Sequence, residues 1–303
     1  MAMKRLLAIL ACAAIASLAL SCGQRDGSGD IDYHTGEYTE DDWQDEAPTD
    51  TSQVTDKADK AGKPGLPLAG YKYTWTDSED IPRIVVIVDD FGQSTALLKD
   101  YAELPPEVVF AVLPDLPATK KAGEMAAQYG HEVIIHVPMQ PKSSDNPGKT
   151  YIKTSSTEDD ISSMLSSFHS QLPMAIGVNN HMGSAVTSDR DAMEMVFRQL
   201  HNQGLFFVDS YTSGESVGPS LARSLGYPAL KRDIFLDVPD NTDATLASKI
   251  SSLGKYKGRR EPIIIITHCH NRGKLESLRK FITQIQGMGL KLTTLSEARD
   301  VAA

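Results

Sequence analysis

The segment Arg83-Ile84-Val85-Val86-Ile87-Val88-Asp89-Asp90 is apolar at five consecutive positions and then carries two adjacent carboxylates. A strand with one wet face would alternate apolar and polar residues. These five bury both faces, as strands of a parallel sheet do. Further strands are predicted at residues 108–112, 132–137, 175–178, 205–208, 262–267 and 290–294, several of them apolar at nearly every position. Helical patterns with legible ends lie between them: 118–129 stops at Gly130, 157–171 opens on acidic residues, and 189–203 stops at Gly204. This alternation across residues 67–303 predicts one α/β domain, an irregular (β/α) barrel of seven parallel strands with helices outside. No GxGxxG or P-loop motif follows the first strand, so the usual nucleotide cradle is missing.

Polar groups collect at the C-terminal ends of these runs. Asp89 and Asp90 follow the first, His136 lies in the third, and Asn179, Asn180 and His181 follow the fourth; Asp209 and Ser210 follow the fifth, His268 and His270 the sixth. In a parallel barrel that end carries the chemistry, and the other end serves stability. An Asp-Asp pair is commonly a solvated turn, but here it sits directly behind buried residues, where an unpaired carboxylate is costly. A metal or a shared proton fits better. A lone histidine in an apolar strand is commonly a hydrogen-bonded core residue. Beside Asp90 and His181 on neighbouring strand ends, however, His136 completes one carboxylate and two imidazoles able to hold Zn²⁺ with a position open for water.

Lesser candidates follow from the same reading. His131 falls at the opposite end of its strand and is predicted to be structural. Arg232 and Asp233 are predicted to pair at the rim. Asp209 has two readings, orienting a ligand histidine from behind or capping its strand. Cys269, between His268 and His270, invites a thiolate-nucleophile reading that no accompanying motif supports.

Outside the barrel, Met1-Ala-Met-Lys4-Arg5 precedes an apolar run, residues 6–20, and then Ser21-Cys22. This order predicts an export signal over 1–22 of the lipoprotein type, with Cys22 acylated after cleavage. The run is shorter than the roughly 20 apolar residues of a membrane span. Residues 23–66 hold roughly 12 Asp/Glu against 4 Lys/Arg without apolar periodicity, predicting a disordered acidic tether that carries most of the formal net charge of −10. The three cysteines, Cys12, Cys22 and Cys269, allow no disulfide framework in the folded part. Nucleic acid is excluded as a partner, since no basic patch stands out to neutralise phosphates.

Several blocks resemble, in order and spacing, the divergent polysaccharide deacetylase family. They are Val88-Asp-Asp-Phe-Gly92, Gly130-His-Glu-Val-Ile-Ile-His136-Val-Pro-Met139, Gly177-Val-Asn-Asn-His181-Met-Gly-Ser184, Phe207-Val-Asp-Ser210, Arg232-Asp-Ile-Phe-Leu-Asp237 and Thr267-His268. The resemblance spans roughly residues 82–298. It implies Asp89 as general base, Asp90 and His136 as metal ligands and His268 as general acid. Ordinary members of the wider superfamily place a second histidine ligand four residues after the first, where this chain has Gln140; His181 is the substitute. Asn180, Asp209, Ser210 and Arg232 are supporting candidates, and a backbone N–H near an Asn179-Asn180 turn is the expected oxyanion donor.

With the export signal, the resemblance implies an envelope hydrolase using a divalent metal, Zn²⁺, to deacetylate N-acetylated glycans. Two other readings stand beside it. One is a glycan-binding or regulatory module that lost turnover with the missing histidine, and the other is a hydrolase of a different envelope amide.

Overall fold

The computed structural model describes residues 81–302. The predicted signal peptide with Cys22, the tether 23–66 and residues 67–80 of the predicted domain lie outside the described residues. The eight strands are β1 (Ile84–Phe91), β2 (Val109–Val112), β3 (Val133–Met139), β4 (Gly177–Met182), β5 (Phe206–Asp209), β6 (Ala229–Lys231), β7 (Ile234–Phe235) and β8 (Ile263–His268). All pair in parallel in one sheet of order β6-β5-β4-β3-β2-β1-β8-β7. The two edge strands, β6 and β7, are separated in the chain only by Arg232 and Asp233. The three Cα–Cα steps from Lys231 to Ile234 span at most about 11 Å, so the sheet must curl until its edges nearly meet, which makes the predicted barrel.

The helices are α1 (Leu98–Ala102), α2 (Thr119–Gln128), α3 (Glu158–Gln171), α4 (Ser184–Thr187), α5 (Arg190–Asn202), α6 (Gly218–Leu225), α7 (Asp243–Ser252), α8 (Arg272–Gly287) and α9 (Leu295–Ala302). Local chemistry sets their ends. Thr157 and Asp160 form a reciprocal capping box at α3, whose buried Ile161, Leu165 and Phe168 make one stripe. Asp189 caps α5 through the Ala192 N–H.

Alternate residues of each strand enter different cores. Val85 and Ile87 of β1, Ile134 of β3, Phe206 and Val208 of β5, and Ile264 and Ile266 of β8 pack together inside the curl, with Leu295 and Ala298 of α9. Ile84, Val86, Val88, Ile135, Phe207 and Ile265 face the outer helices, against Leu165, Phe168 and Phe281. The Glu132 carboxylate, just before β3, accepts from the Leu295 N–H at 2.7 Å. α9 therefore sits at the N-terminal end of the strands, leaving the C-terminal end to the polar residues.

The strand count and one strand position differ from expectation. Residues 290–294 pair with the sheet only through a parallel bridge of Leu292 to Ile84, because α9 begins at Leu295 and turns the chain away. The missing members are β6 and β7, three and two residues long. Such lengths leave no periodicity to read.

Candidate active site

The inward parity of the strands delivers the site. Asp89, His136 and His268 each lie two positions beyond an inward residue, Ile87, Ile134 and Ile266, and successive side chains alternate faces. Asp90 breaks the rule. The pairing of β1 with β2 shifts register between Val88 and Phe91, and Asp90 has φ +69°, a left-handed conformation that Asp tolerates better than most residues. This irregularity turns two consecutive carboxylates toward one cleft, whose wall also includes His181, Met182, Ser210 and Phe235.

Asp90 Oδ1, His136 Nε2 and His181 Nδ1 form a triangle. Its edges are 3.2 Å from His136 to Asp90, 3.1 Å from His181 to Asp90 and 3.2 Å between the histidines. Adjacent ligands on a tetrahedral zinc with bonds of about 2.05 Å stand about 3.3 Å apart, so the donor set fits such an ion. A second observation agrees: buried Asp90 Oδ1 accepts no hydrogen bond of acceptable geometry despite the two ring nitrogens beside it. Burial would raise the Asp90 carboxyl, but His181, His136 and His270 together hold it well below the usual carboxylate range. Burial depresses His136, and Asp89 and Asp90 outweigh it and raise that imidazole. His181 is lowered, chiefly by burial. The carboxylate pair thus draws positive charge into the triangle.

Asn179 joins the triangle to Asp89. Its Oδ1 accepts from His136 Nδ1 at 2.8 Å, directing Nε2 into the triangle, and its Nδ2 donates to Asp89 Oδ1 at 2.8 Å. One amide orientation satisfies both bonds and sets the tautomer of His136. Burial, then repulsion from Asp90, raises the Asp89 carboxyl against the pull of His136, His268 and Asn179. Sequence reasoning placed Asn179 only in an oxyanion turn. Counting back two positions from inward His181 would have found it. His270 approaches Asp90 Oδ2 at 2.6 Å through Nε2 and steadies the face of that carboxylate turned from the triangle.

On the opposite wall, His268 Nδ1 lies 3.0 and 3.1 Å from the two carboxylate oxygens of Asp237, which also accepts from the His268 N–H at 3.2 Å. Lys274 Nζ stands 2.8 Å from Asp237 Oδ2. Burial pulls the His268 imidazolium down, but facing Asp237 outweighs this and pushes it up to about 9. Burial pushes Asp237 the other way, and His268 and Lys274 prevail, holding it well below the usual range. Asp237 belonged to a matched block but had no assigned role. Lys274, in the first turn of a helix, carried no signal.

The remaining candidates are structural supports. Asp209 follows inward Val208 and so faces the helix side. There its carboxylate accepts from the Tyr211 N–H at 2.7 Å and from Ser216 Oγ at 2.6 Å, so it caps the strand, and Asn179 is the residue bonded behind His136. Asn180 ties β4 to β5, donating to the Met182 carbonyl and accepting from the Ser210 N–H. Asn179 and Asn180 lie within β4 and not in a turn, which removes the basis for the oxyanion donor expected there. Ser210 Oγ accepts from Asn179 Nδ2 at 3.3 Å.

Arg232 and Asp233 do not pair with each other. Arg232 donates to the carbonyls of Ser210 and Tyr211 at 2.7 and 2.9 Å and lies over the Phe235 ring, while Asp233 pairs with Arg259 at 2.7 Å. Consecutive residues joining two curled edges point to different sides. Gln140 accepts from the Thr154 N–H at 3.1 Å, pinning the loop after β3. His131 places its ring nitrogens 2.9 Å from the Val108 and Ala102 carbonyls, a structural position as expected. Burial, then Asp90 and Asp89, pushes the Cys269 thiol well up, so it does not supply a thiolate.

A family model described as divergent polysaccharide deacetylase matches residues 86–298. The uncharacterized protein YibQ of Escherichia coli is 32% identical over 188 residues, covering 62% of this chain and 59% of that protein. An uncharacterized protein of Haemophilus influenzae is 30% identical over 188 residues, covering 61% and 66% respectively. The chain thus spans less than two thirds of these curated relatives. Among solved structures, the uncharacterized protein ATU2773 of Agrobacterium tumefaciens superposes with a TM-score of 0.65 at 22% identity, covering 74% of this chain and 92% of that one. A lactam utilization protein of Thermus thermophilus superposes with a TM-score of 0.52 at 13% identity, covering 71% and 100%. At these identities the likeness is one of fold.

Proposed function

The chain belongs to the divergent polysaccharide deacetylase family, and on that premise we propose that it is a zinc-dependent hydrolase removing acetyl groups from N-acetylated glycans of the cell envelope. The observation that carries this is the buried triangle of Asp90, His136 and His181, flanked by the Asp89 carboxylate and by a histidine paired with Asp237. Asp90, His136 and His181 would hold the ion, which when bound polarises an acetyl carbonyl and acidifies water. Asp89, with one oxygen held by Asn179, takes a proton from the attacking water. Its raised position brings it toward the working pH of a base. As the water oxygen bonds to the acetyl carbon and the C–N bond breaks, His268 gives its proton to the leaving amine. Asp237 keeps that histidine charged beforehand and its ring in place. Acetate and a free amino sugar result.

Export and acylation of Cys22 belong to the same proposal, because they would put the barrel beside its substrate; labelled palmitate should enter the wild type and not Cys22→Ser. The principal test is elemental analysis of the purified chain and of Asp90→Ala, His136→Ala and His181→Ala, with acetate release measured over N-acetylated glycans. Near-stoichiometric zinc lost in every variant, with acetate release abolished by Asp89→Asn, is the expected result. Zinc without acetate release across the panel would favour a glycan-binding module, the reading motivated by Gln140. A wild type that takes up no zinc would overturn the hydrolase.

A further inference from the structure

Lys274 occupies an unfavourable place for a cation, the first turn of α8, where the helix dipole presents positive charge. Its backbone is held by Asn271, whose Oδ1 accepts from the Lys274 N–H at 3.0 Å. The side chain is mostly buried behind the cleft wall, with Nζ 2.8 Å from Asp237 Oδ2 and 3.4 Å from His270 Nδ1. An ammonium only donates, so His270 Nδ1 accepts and its proton lies on Nε2, the atom 2.6 Å from Asp90 Oδ2. One cation therefore touches two arms. Through His270 it holds the metal-ligand carboxylate, and through Asp237 it holds the carboxylate that orients His268. We propose that Lys274 is the positioning residue that couples the metal triangle to the general acid, fixing the His270 tautomer and the Asp237 carboxylate together. This rests on the reading of the triangle as a metal site.

The test uses the purified chain, zinc alone as the probe, and two readouts independent of turnover. In Lys274→Met, zinc affinity measured by calorimetry should fall about tenfold, the lower range for groups that orient metal ligands. Lys274→Arg, which keeps the charge, should recover most of that loss. His270→Ala should lower affinity similarly, and combining it with Lys274→Met should add little, since both act on Asp90 through one contact. The second readout is the His268 ring by NMR. The charged and titratable groups facing it are Asp237, Asp90, Asp89, Lys274 and the stacked His270 ring. Losing the lysine removes a repelling cation, so the ring should titrate higher in Lys274→Met and return toward wild type in Lys274→Arg. A Lys274→Met chain that melts normally, binds zinc within twofold of wild type and leaves the His268 titration unmoved would overturn the coupling alone. A wild type that binds no zinc would overturn the metal reading, and the coupling with it.

Discussion

Replacing Asp237 with Asn keeps a hydrogen-bond acceptor beside His268 Nδ1 and removes the charge. In the wild type, burial lowers the imidazolium and Asp237 more than reverses this, to about 9 against an ordinary 6.5. With the carboxylate gone, burial remains the largest influence and the ring should titrate at or below 6.5. That is a drop of more than two units, about 3 kcal/mol of lost preference for the charged form. At pH 7 the protonated fraction falls from about 99% to about a quarter or less. The sign for stability follows. A raised histidine contributes fully below pH 6.5, and that contribution is lost as pH rises through about 9; the variant should lose this alkaline dependence. Ring-selective NMR titration reads the shift without any substrate, the His268 signal being assigned by its loss in His268→Gln. A ring titrating above pH 8 in Asp237→Asn, or near 6.5 in the wild type, would refute the reasoning. If the proposed hydrolysis holds, the alkaline limb of acetate release should move down by the same interval.

Three further outcomes are expected. Asn179→Ala removes the bonds to His136 Nδ1 and Asp89 Oδ1, so zinc affinity should fall about 10- to 100-fold; calorimetry giving a value within twofold of wild type would contradict its orienting role. Gly177→Ala would bring a Cβ within 2.8 Å of the Phe206 carbonyl oxygen and 3.0 Å of its ring. Such overpacking costs about 1–3 kcal/mol, so the melting temperature should drop measurably, and an unchanged melt would show that β4 and β5 can separate. Cys269 should resist iodoacetamide at neutral pH, because its thiol is pushed well up; an alkylated Cys269 peptide by mass spectrometry would reverse that conclusion.

The parallel sheet was legible because burial of both faces leaves its mark on composition: β1, β3 and β8 are apolar wherever they meet a core. What escaped was set by geometry too short or too late in the chain to imprint a period. β6 and β7 pair for three and two residues, and the segment 290–294 is diverted after one bridge by a helix that Glu132 caps from across the barrel floor. The same division holds in the cleft. Asp89, His136 and His268 sit on an alternating pattern that extends the core. His270 and Lys274 hang from the loop and first helical turn after β8, where alternation no longer predicts direction.

Asp90 and His181 show why residue type and facing direction must be weighed together. Strict alternation from Ile87 would send Asp89 inward and Asp90 outward, leaving one carboxylate in the cleft. The register shift and left-handed backbone at Asp90 reverse that and cannot be inferred from composition. His181 needs no such device, since Asn179 and His181 share the inward face of β4, and β4 runs beside β3 with Pro138 opposite His181. A residue two strand positions beyond His136, on the adjacent strand, therefore approaches the same triangle. Gln140, four positions on along its own strand's exit, serves instead to hold the loop at Thr154. With Gln140 so engaged, the third nitrogen or oxygen of the triangle comes from His181 on the neighbouring strand.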